Sequence, residues 1–151
     1  MIPIQFGHFT IGHDQPCFII AEAGVNHNGN MDLAHKLIEE AKKAGADAVK
    51  FQSFVTEKLV TPQAKKAIYQ IETTGSDGDQ FAMLKALELS AEQQLELKRH
   101  CDELGILYLC TPYEEESVDL LDRMNVAGFK VGSTDTTNLP FLRYIAKKGR
   151  P

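Results

Sequence analysis

The residues of this sequence that could bind or transform a ligand share one position, at or near the carboxyl ends of predicted apolar strands. They are Glu22, Lys50, Gln52, Thr111, Lys130, Ser133 and Asp135. A lysine within an apolar strand is costly to bury unless an anion or a carboxylate meets it. Two such lysines, together with carboxylates and hydroxyls, predict a pocket for an anionic, oxygen-rich small molecule.

Each of these residues also fits a structural role. Glu22 is equally suited to a salt bridge with Lys50 or Lys130, and Lys50 is suited to an edge strand that faces water. The hydroxyl of Thr111 stands before a proline and suits a strand terminator. The shared location at one end of a sheet, rather than any single residue, favours the ligand-binding interpretation.

A polar turn, residues 26–30 (NHNGN), follows the first of these strands. Asparagine favours turns and helix caps, and Asn30 is placed to cap the helix that follows. We interpret His27 as a structural histidine of this turn in preference to a metal ligand or a base.

Four strand–helix units are predicted to position these side chains. Apolar runs predict strands, apolar stripes with polar caps predict helices, and the succession predicts a parallel α/β sheet with right-handed crossovers. Ligands bind such sheets at the carboxyl ends of the strands. The predicted strands are 17–23, 47–54, 106–112 and 127–134; the predicted helices are 31–45, 80–88, 90–105, 114–124 and 139–149; a hairpin is predicted at 4–15 and a polar turn at 73–79.

Composition restricts the class of protein. The chain has 151 residues, 43% of them hydrophobic, and a formal charge of −5, which argues against a general nucleic-acid binder because such proteins need a basic face. No apolar run approaches the length of a membrane span, and no signal peptide is visible. Three cysteines without CxxC spacing predict free thiols in a reducing cytoplasm.

Five segments together resemble the N-terminal portion of the sialic acid synthases, a group that includes N-acetylneuraminate, legionaminate and pseudaminate synthases and the related spore-coat polysaccharide proteins. The segments are IAEAGVNHNG, AVKFQSF, ELS, CTPYEEESVDLL and FKVGSTDTTNLPFLRYIAKKGRP. Their order over most of the chain carries the resemblance. It implies the N-terminal half of a (β/α)8 TIM barrel, about four βα units, preceded by the short hairpin.

The resemblance also implies a reaction. Family members condense phosphoenolpyruvate with N-acetylmannosamine or a related amino sugar to give a nonulosonic acid and phosphate. The residues of this sequence that match those holding the phosphate and carboxylate of phosphoenolpyruvate are Lys50, Thr111, Lys130 and Ser133.

Three further positions match the sugar side and the reacting centre. Gln52 matches a residue near the sugar, and Glu22 matches the glutamate of the first strand. Asp135 stands where the synthases have a glutamate that contacts the sugar, so the shorter acid leaves the identity of the sugar open. As carboxylates, Glu22 and Asp135 are the candidate catalytic groups for proton transfer.

The resemblance further implies parts that this sequence does not contain. Family members use a divalent metal, manganese or magnesium, whose histidine ligands lie in the second half of the barrel, so no metal ligand is assigned here. They are homodimers and carry a C-terminal antifreeze-like domain. A half barrel exposes two open sheet edges, so we expect the isolated chain to be inactive or to self-associate.

Three other functions remain open. Lys50 and Lys130 suit a lysine Schiff-base aldolase. A 3-deoxy-sugar-acid synthase would keep phosphoenolpyruvate and change the acceptor, and a non-catalytic half barrel would keep only anion affinity.

Overall fold

The structure, a computed structural model, describes residues 2–64 and 79–151. In chain order the elements are β1 (Ile4–Phe6), β2 (Phe9–Ile11), β3 (Ile20–Gly24), α1 (Met31–Lys43), β4 (Ala48–Ser53), α2 (Thr56–Leu59), α3 (Gln80–Leu87), α4 (Ala91–Leu104), β5 (Leu107–Pro112), α5 (Glu115–Arg123), a 3-10 helix (Ser133–Asp135) and α6 (Leu139–Ala146). The polar turn predicted at 73–79 lies outside the described residues except for Asp79, which caps α3.

Strands β3, β4 and β5 form one parallel sheet with β4 in the middle. Helices α1, α4 and α5 pack on one face of it, where Ile38, Leu97 and Leu121 meet Val49 and Phe51 in a buried core. Helices α1 and α5 follow β3 and β5, and α4 follows β4 after the shorter helices α2 and α3, so the chain alternates between the two layers as the sequence pattern predicts. The predicted α/β fold class is confirmed.

The opposite face of the sheet, which we call the inner face, carries Ala48, Lys50 and Gln52, because alternate residues of a strand point the same way. The antiparallel hairpin β1–β2, also predicted, lies against the amino-terminal part of this face. Phe6 of the hairpin is buried with Ala48 and Leu109. The apolar half of the inner face is therefore covered, and the polar half lies beyond the hairpin.

The fourth predicted strand, residues 127–134, is wrong in its details. The segment runs beside β5, where the Lys130 amide donates a hydrogen bond to the Cys110 carbonyl at 3.2 Å, but it forms no strand ladder. The preceding amide, Phe129 N–H, is taken by the Pro151 carbonyl at 2.9 Å. Phe6 also packs so close to Gly128 that a Cβ there would collide with its ring. The segment thus lies beside β5 without forming a regular strand, and its bond to Cys110 keeps Lys130 at the edge of the sheet.

Helix ends follow the predicted caps. The Asn30 side chain accepts a hydrogen bond from Leu33 N–H at 3.0 Å, and Ser90 and Gln93 form a reciprocal capping box at the start of α4. Asn138 accepts from Phe141 N–H at 3.4 Å at the start of α6. The helices therefore begin where the sequence predicts, which fixes where each preceding loop must leave the sheet.

Gly29 lies in the turn between β3 and α1, and its backbone packs against α3. Its φ is +72°, and a Cβ placed on it would collide with the Ala86 carbonyl oxygen. Gly45 has a φ of +83°, yet a Cβ there would meet nothing within 4 Å.

We expect Gly45→Ala to lower the free energy of unfolding by about 1 kcal/mol through the left-handed backbone alone. Gly29→Ala should cost about 3 kcal/mol or more, because it adds the collision.

Urea denaturation of both variants measures this difference. Equal losses for the two glycines would show that the turn does not pack against α3 as the structure has it.

Candidate functional site

Lys50 lies on the inner face of the central strand and is only 8% exposed. The parallel register places Glu22 of β3 directly opposite, and the two side chains form an ion pair. The Glu22 side chain remains 53% exposed, so this carboxylate is open to solvent while the ammonium beneath it is not. The sequence left Lys50 and Lys130 open as salt-bridge partners of Glu22, and the ion pair in the structure is with Lys50.

Gln52 lies two residues further along β4, next to the same pair. A bulge interrupts the register between Glu22 and Gly24, whose φ is +55°. A Cβ on Gly24 would lie 3.2 Å from Glu22 Oε1 and 3.7 Å from Gln52 Nε2. Glycine at position 24 therefore avoids crowding the Glu22 carboxylate at the carboxyl end of β3.

Thr111 stands opposite Gln52 in the register of β5. It is 1% exposed, and its Oγ1 has no hydrogen-bond partner within the described part of the chain. A buried hydroxyl without a partner costs about 1–3 kcal/mol. Lys130 is half-buried beside this strand, where its backbone N–H donates a hydrogen bond to the Cys110 carbonyl. Thr111 thus presents an unused donor near the point where Lys130 joins the sheet.

Ser133 and Asp135 lie on the 3-10 helix that follows. Ser133 is exposed, whereas Asp135 is half-buried and accepts hydrogen bonds from Asn138 Nδ2 and Thr134 Oγ1, both at 3.3 Å. The Asp135 carboxylate lies above Gly132, where a Cβ would be 3.4 Å from its Oδ2. These long bonds position the carboxylate without burying it.

A cavity of about 450 Å³ opens at the carboxyl ends of β4 and β5. It brings together two of the predicted residues, Gln52 and Asp135. The other residues that line it are Phe54, Leu59, Val60, Gln80, Leu84, Tyr113 and Thr134. The remaining predicted residues do not line this cavity. Glu22 and Lys50 pair beside it, Thr111 lies buried in the sheet, and Lys130 and Ser133 lie on the segment after α5.

Gln94 supports the site and was missed from the sequence. It is fully buried, accepts a hydrogen bond from the Tyr108 hydroxyl, and donates through Nε2 to the Gln52 carbonyl at 3.1 Å. It therefore fixes the main chain from which the Gln52 side chain projects. The signal was present, because Gln94, Leu97 and Cys101 share one helical stripe at i, i+3 and i+7. A polar residue on that stripe must have a buried partner.

His27 is fully buried and belongs to the helix side of the sheet. Its Nδ1 accepts a hydrogen bond from Gly29 N–H at 3.0 Å, and its ring lies 6.2 Å from that of Phe51. Since Nδ1 accepts, the neutral ring carries its proton on Nε2. Burial lowers the pKa of His27 below its ordinary 6.5. The structural interpretation of this histidine fits its position in the turn.

The cysteines offer no nucleophile to this site. All three are free thiols, and burial raises the pKa of both Cys101 and Cys110 to about 12. A thiol with so high a pKa holds almost no thiolate near neutral pH. Cys17 is exposed on the chain that precedes β3.

The structure describes residues 2–64 and 79–151, and two absences hold within these ranges. In these ranges no three His, Cys, Asp or Glu side chains are grouped so as to hold a metal ion. Within the same ranges every helix is too short or too polar to cross a membrane.

The chain is similar to a known protein family and to several of its members. The sequence profile of the NeuB family matches residues 37–151. The chain is 50% identical over 129 residues to N,N'-diacetyllegionaminic acid synthase of Campylobacter jejuni, a match that covers 85% of this chain and 39% of that protein. It is 42% identical over 142 residues to N-acetylneuraminate-9-phosphate synthase of Homo sapiens, covering 93% of this chain and 39% of that protein.

A solved structure agrees with these relatives. The crystal structure of N-acetylneuraminic acid (sialic acid) synthetase from Leptospira borgpetersenii, in complex with citrate, matches 99% of this chain and 47% of its own with a TM-score of 0.81 and 31% identity. The fold is thus the N-terminal portion of a TIM-barrel enzyme, as predicted. The chain spans about two fifths of the length of the curated relatives.

The lowered pKa of His27 predicts a pH dependence of stability. Near pH 6.5 and below, the unfolded chain binds a proton at this position that the folded chain does not. The contribution of the neutral His27 ring to the free energy of unfolding is therefore complete above this pH, and it is lost as the pH falls below it. We expect His27→Asn, which keeps an acceptor for Gly29, to flatten the unfolding free energy between about pH 7.5 and about pH 5.

The measurement is urea denaturation across this range. His13→Asn, at a position whose side chain is 80% exposed, controls for the loss of an imidazole. An unchanged slope in His27→Asn would contradict the prediction.

Proposed function

This chain belongs to the NeuB family, and on that premise we propose that it supplies the phosphoenolpyruvate side of a site that condenses phosphoenolpyruvate with an N-acetylated amino sugar. One water would be consumed, the product would be a nonulosonic acid, and phosphate would be released. The observation that carries the proposal is Lys50, a buried cation on the inner face whose one close carboxylate partner, Glu22, is itself half open to solvent.

Phosphoenolpyruvate suits this environment electrostatically. Its phosphate and carboxylate require cations and hydrogen-bond donors, which Lys50 and Lys130 supply as ammonium groups and Thr111 and Ser133 as hydroxyls. The Thr111 hydroxyl is the donor with no partner inside the described residues. In the proposed complex, the ligand takes the place of solvent next to Glu22 and shares Lys50 with it.

The amino sugar would occupy the adjoining cavity. Gln52 and Asp135 line this cavity together, and their amide and carboxylate match the hydroxyl and N-acetyl groups of such a sugar. As the methylene carbon of phosphoenolpyruvate bonds to the sugar aldehyde, the aldehyde oxygen would take up a proton. The water that adds at the phosphate-bearing carbon would give one up as phosphate leaves. We assign these proton transfers to the carboxylates of Glu22 and Asp135.

A divalent metal, manganese or magnesium, would polarise the sugar aldehyde when bound. The grouping that such an ion requires is missing among residues 2–64 and 79–151, so we assign it no ligand here and derive no step through it. We propose that its ligands lie in the second half of the barrel.

The parts expected beyond this chain belong to the same proposal. They are the second half of the barrel, the antifreeze-like domain and the homodimer partner. A full barrel takes ~250 residues, more than this chain contains. The proposed location is the cytoplasm, where a thiol such as Cys17 stays reduced.

A calorimetric titration with phosphoenolpyruvate tests the anion site. Lys50→Met and Lys130→Met should each weaken binding by about 10- to 100-fold, the value of one charge-assisted hydrogen bond. Lys36→Met is the matched control, because Lys36 is exposed on the outer helix α1. Equal affinity for the parent chain and Lys50→Met would overturn the proposed role.

Turnover separates the candidate functions. Phosphate release that depends on both N-acetylmannosamine and a divalent metal favours the synthase, and an aldose phosphate as the preferred acceptor favours a 3-deoxy-sugar-acid synthase. Borohydride trapping of an adduct on Lys50 or Lys130 favours the aldolase. Anion binding without any turnover, in a chain with its full barrel, favours a binding module.

The isolated chain should bind without turning over and should self-associate. One edge of its parallel sheet is β3, whose first residue, Ile20, is 44% exposed, and the preceding residue, Ile19, is 50% exposed. Exposed apolar edge strands pair with other chains. Sedimentation velocity should therefore show concentration-dependent assembly, and robust metal-dependent consumption of phosphoenolpyruvate by this chain would contradict the expected inactivity.

A further inference from the structure

Helix α2 follows β4 directly and forms part of the cavity wall. Leu59, its last residue, and Val60 both line the cavity that contains Gln52 and Asp135. The helix has only 4 residues, and its N-cap is Val55, whose side chain cannot accept a hydrogen bond. So short a helix with an apolar cap has no means of its own to hold its position.

Glu88, which is 32 residues further along the chain, supplies the missing acceptor. Its Oε2 accepts the Thr56 amide at 2.8 Å and the Thr56 hydroxyl at 2.6 Å. Thr56 is the first residue of α2 and is fully buried. The carboxylate therefore replaces both the absent cap and the water that Thr56 cannot reach.

The other oxygen of the same carboxylate holds a cation. Glu88 Oε1 accepts from Lys85 Nζ at 2.9 Å, and Lys85 also reaches Glu57 of α2 at 3.1 Å. Burial alone would raise the pKa of Glu88, but the hydrogen bonds from Thr56 and Lys85 outweigh it and hold that pKa below its usual value. Glu88 is thus ionised at neutral pH and bridges α2 to the junction between α3 and α4.

This junction is the ELS segment, residues 88–90, whose role the proposed reaction leaves unassigned. Ser90 caps α4 and Leu89 is buried, so both have structural roles. A glutamate at 88 is not needed for either role. Its side chain turns instead toward the end of β4, where Gln94 already holds the Gln52 carbonyl from the same side.

We propose that Glu88 is a positioning residue for the sugar cavity: by capping α2 from a distant part of the chain, it sets the wall formed by Leu59 and Val60 relative to Gln52 and Asp135. This inference rests on the proposed function for the identity of the ligand. The position of the wall itself does not depend on that identity. Phosphoenolpyruvate binding, which involves Lys50 on the inner face, should be independent of Glu88.

Hydrogen exchange on the ligand-free chain tests the position of the wall. Glu88→Ala should speed amide exchange in α2 by about tenfold or more, because Thr56 loses both bonds to the carboxylate. Glu88→Gln keeps an acceptor oxygen and should restore most of the protection. Glu57→Ala is the matched control, since Glu57 binds the same Lys85 but does not cap the helix.

Calorimetry with the same variants tests the consequence for the ligands. Glu88→Ala should weaken binding of N-acetylmannosamine by about tenfold while leaving the affinity for phosphoenolpyruvate within about twofold. A parent chain that binds neither ligand would count against the proposed function, and the exchange data would still decide the role of Glu88. Unchanged exchange in α2, or an equal loss of both affinities together with faster exchange throughout the sheet, would overturn the inference.

Discussion

The charge of Lys50 is the constraint on which the inner face depends. A buried ammonium is costly without a counter-charge, and the register of two parallel strands delivers Glu22 to the facing position. Because Glu22 itself stays half exposed, the carboxylate that balances the Lys50 charge lies at the solvent-exposed surface of the sheet and not in its interior. The apolar hairpin covers the amino-terminal part of this face, where Phe6 is buried with Ala48 and Leu109, and the charged pair lies beyond it.

The two layers of the fold divide the work of building the site. The helix side of the sheet holds the apolar core, yet it also supplies the polar ties that fix the loops. Gln94 donates to the Gln52 carbonyl and Glu88 accepts from Thr56 N–H. These hydrogen bonds hold the main chain at the end of β4 and at the start of α2. Neither of these two side chains lines the cavity. The geometry of the candidate site is thus determined by residues that do not face it.

Local patterns allowed much of this arrangement to be predicted. Period-two alternation placed Lys50 and Gln52 on one face, and side-chain chemistry placed the caps at Asn30 and Ser90. Pairing between distant segments could not be predicted in the same way. The choice of Glu22 for Lys50 depends on strand register, and the cap of α2 depends on a residue 32 positions away. The fourth strand failed for a related reason: residues 127–134 keep a hydrogen bond from Lys130 to Cys110 but form no strand, and such pairing depends on distant segments that local alternation does not encode.

Three buried side-chain polar atoms have no hydrogen-bond partner among the residues described, and they differ in their surroundings. They are Thr111 Oγ1, His27 Nε2 and His100 Nε2. His27 lies near Phe51 on the helix side, and His100 lies against His35 between α1 and α4, so neither faces the sheet's polar end. Thr111 alone stands in the strand that faces Gln52, beside the segment carrying Lys130. An unsatisfied buried hydroxyl weakens the fold wherever it occurs, and Thr111 is the one of the three whose strand also borders the residues assigned to the proposed site.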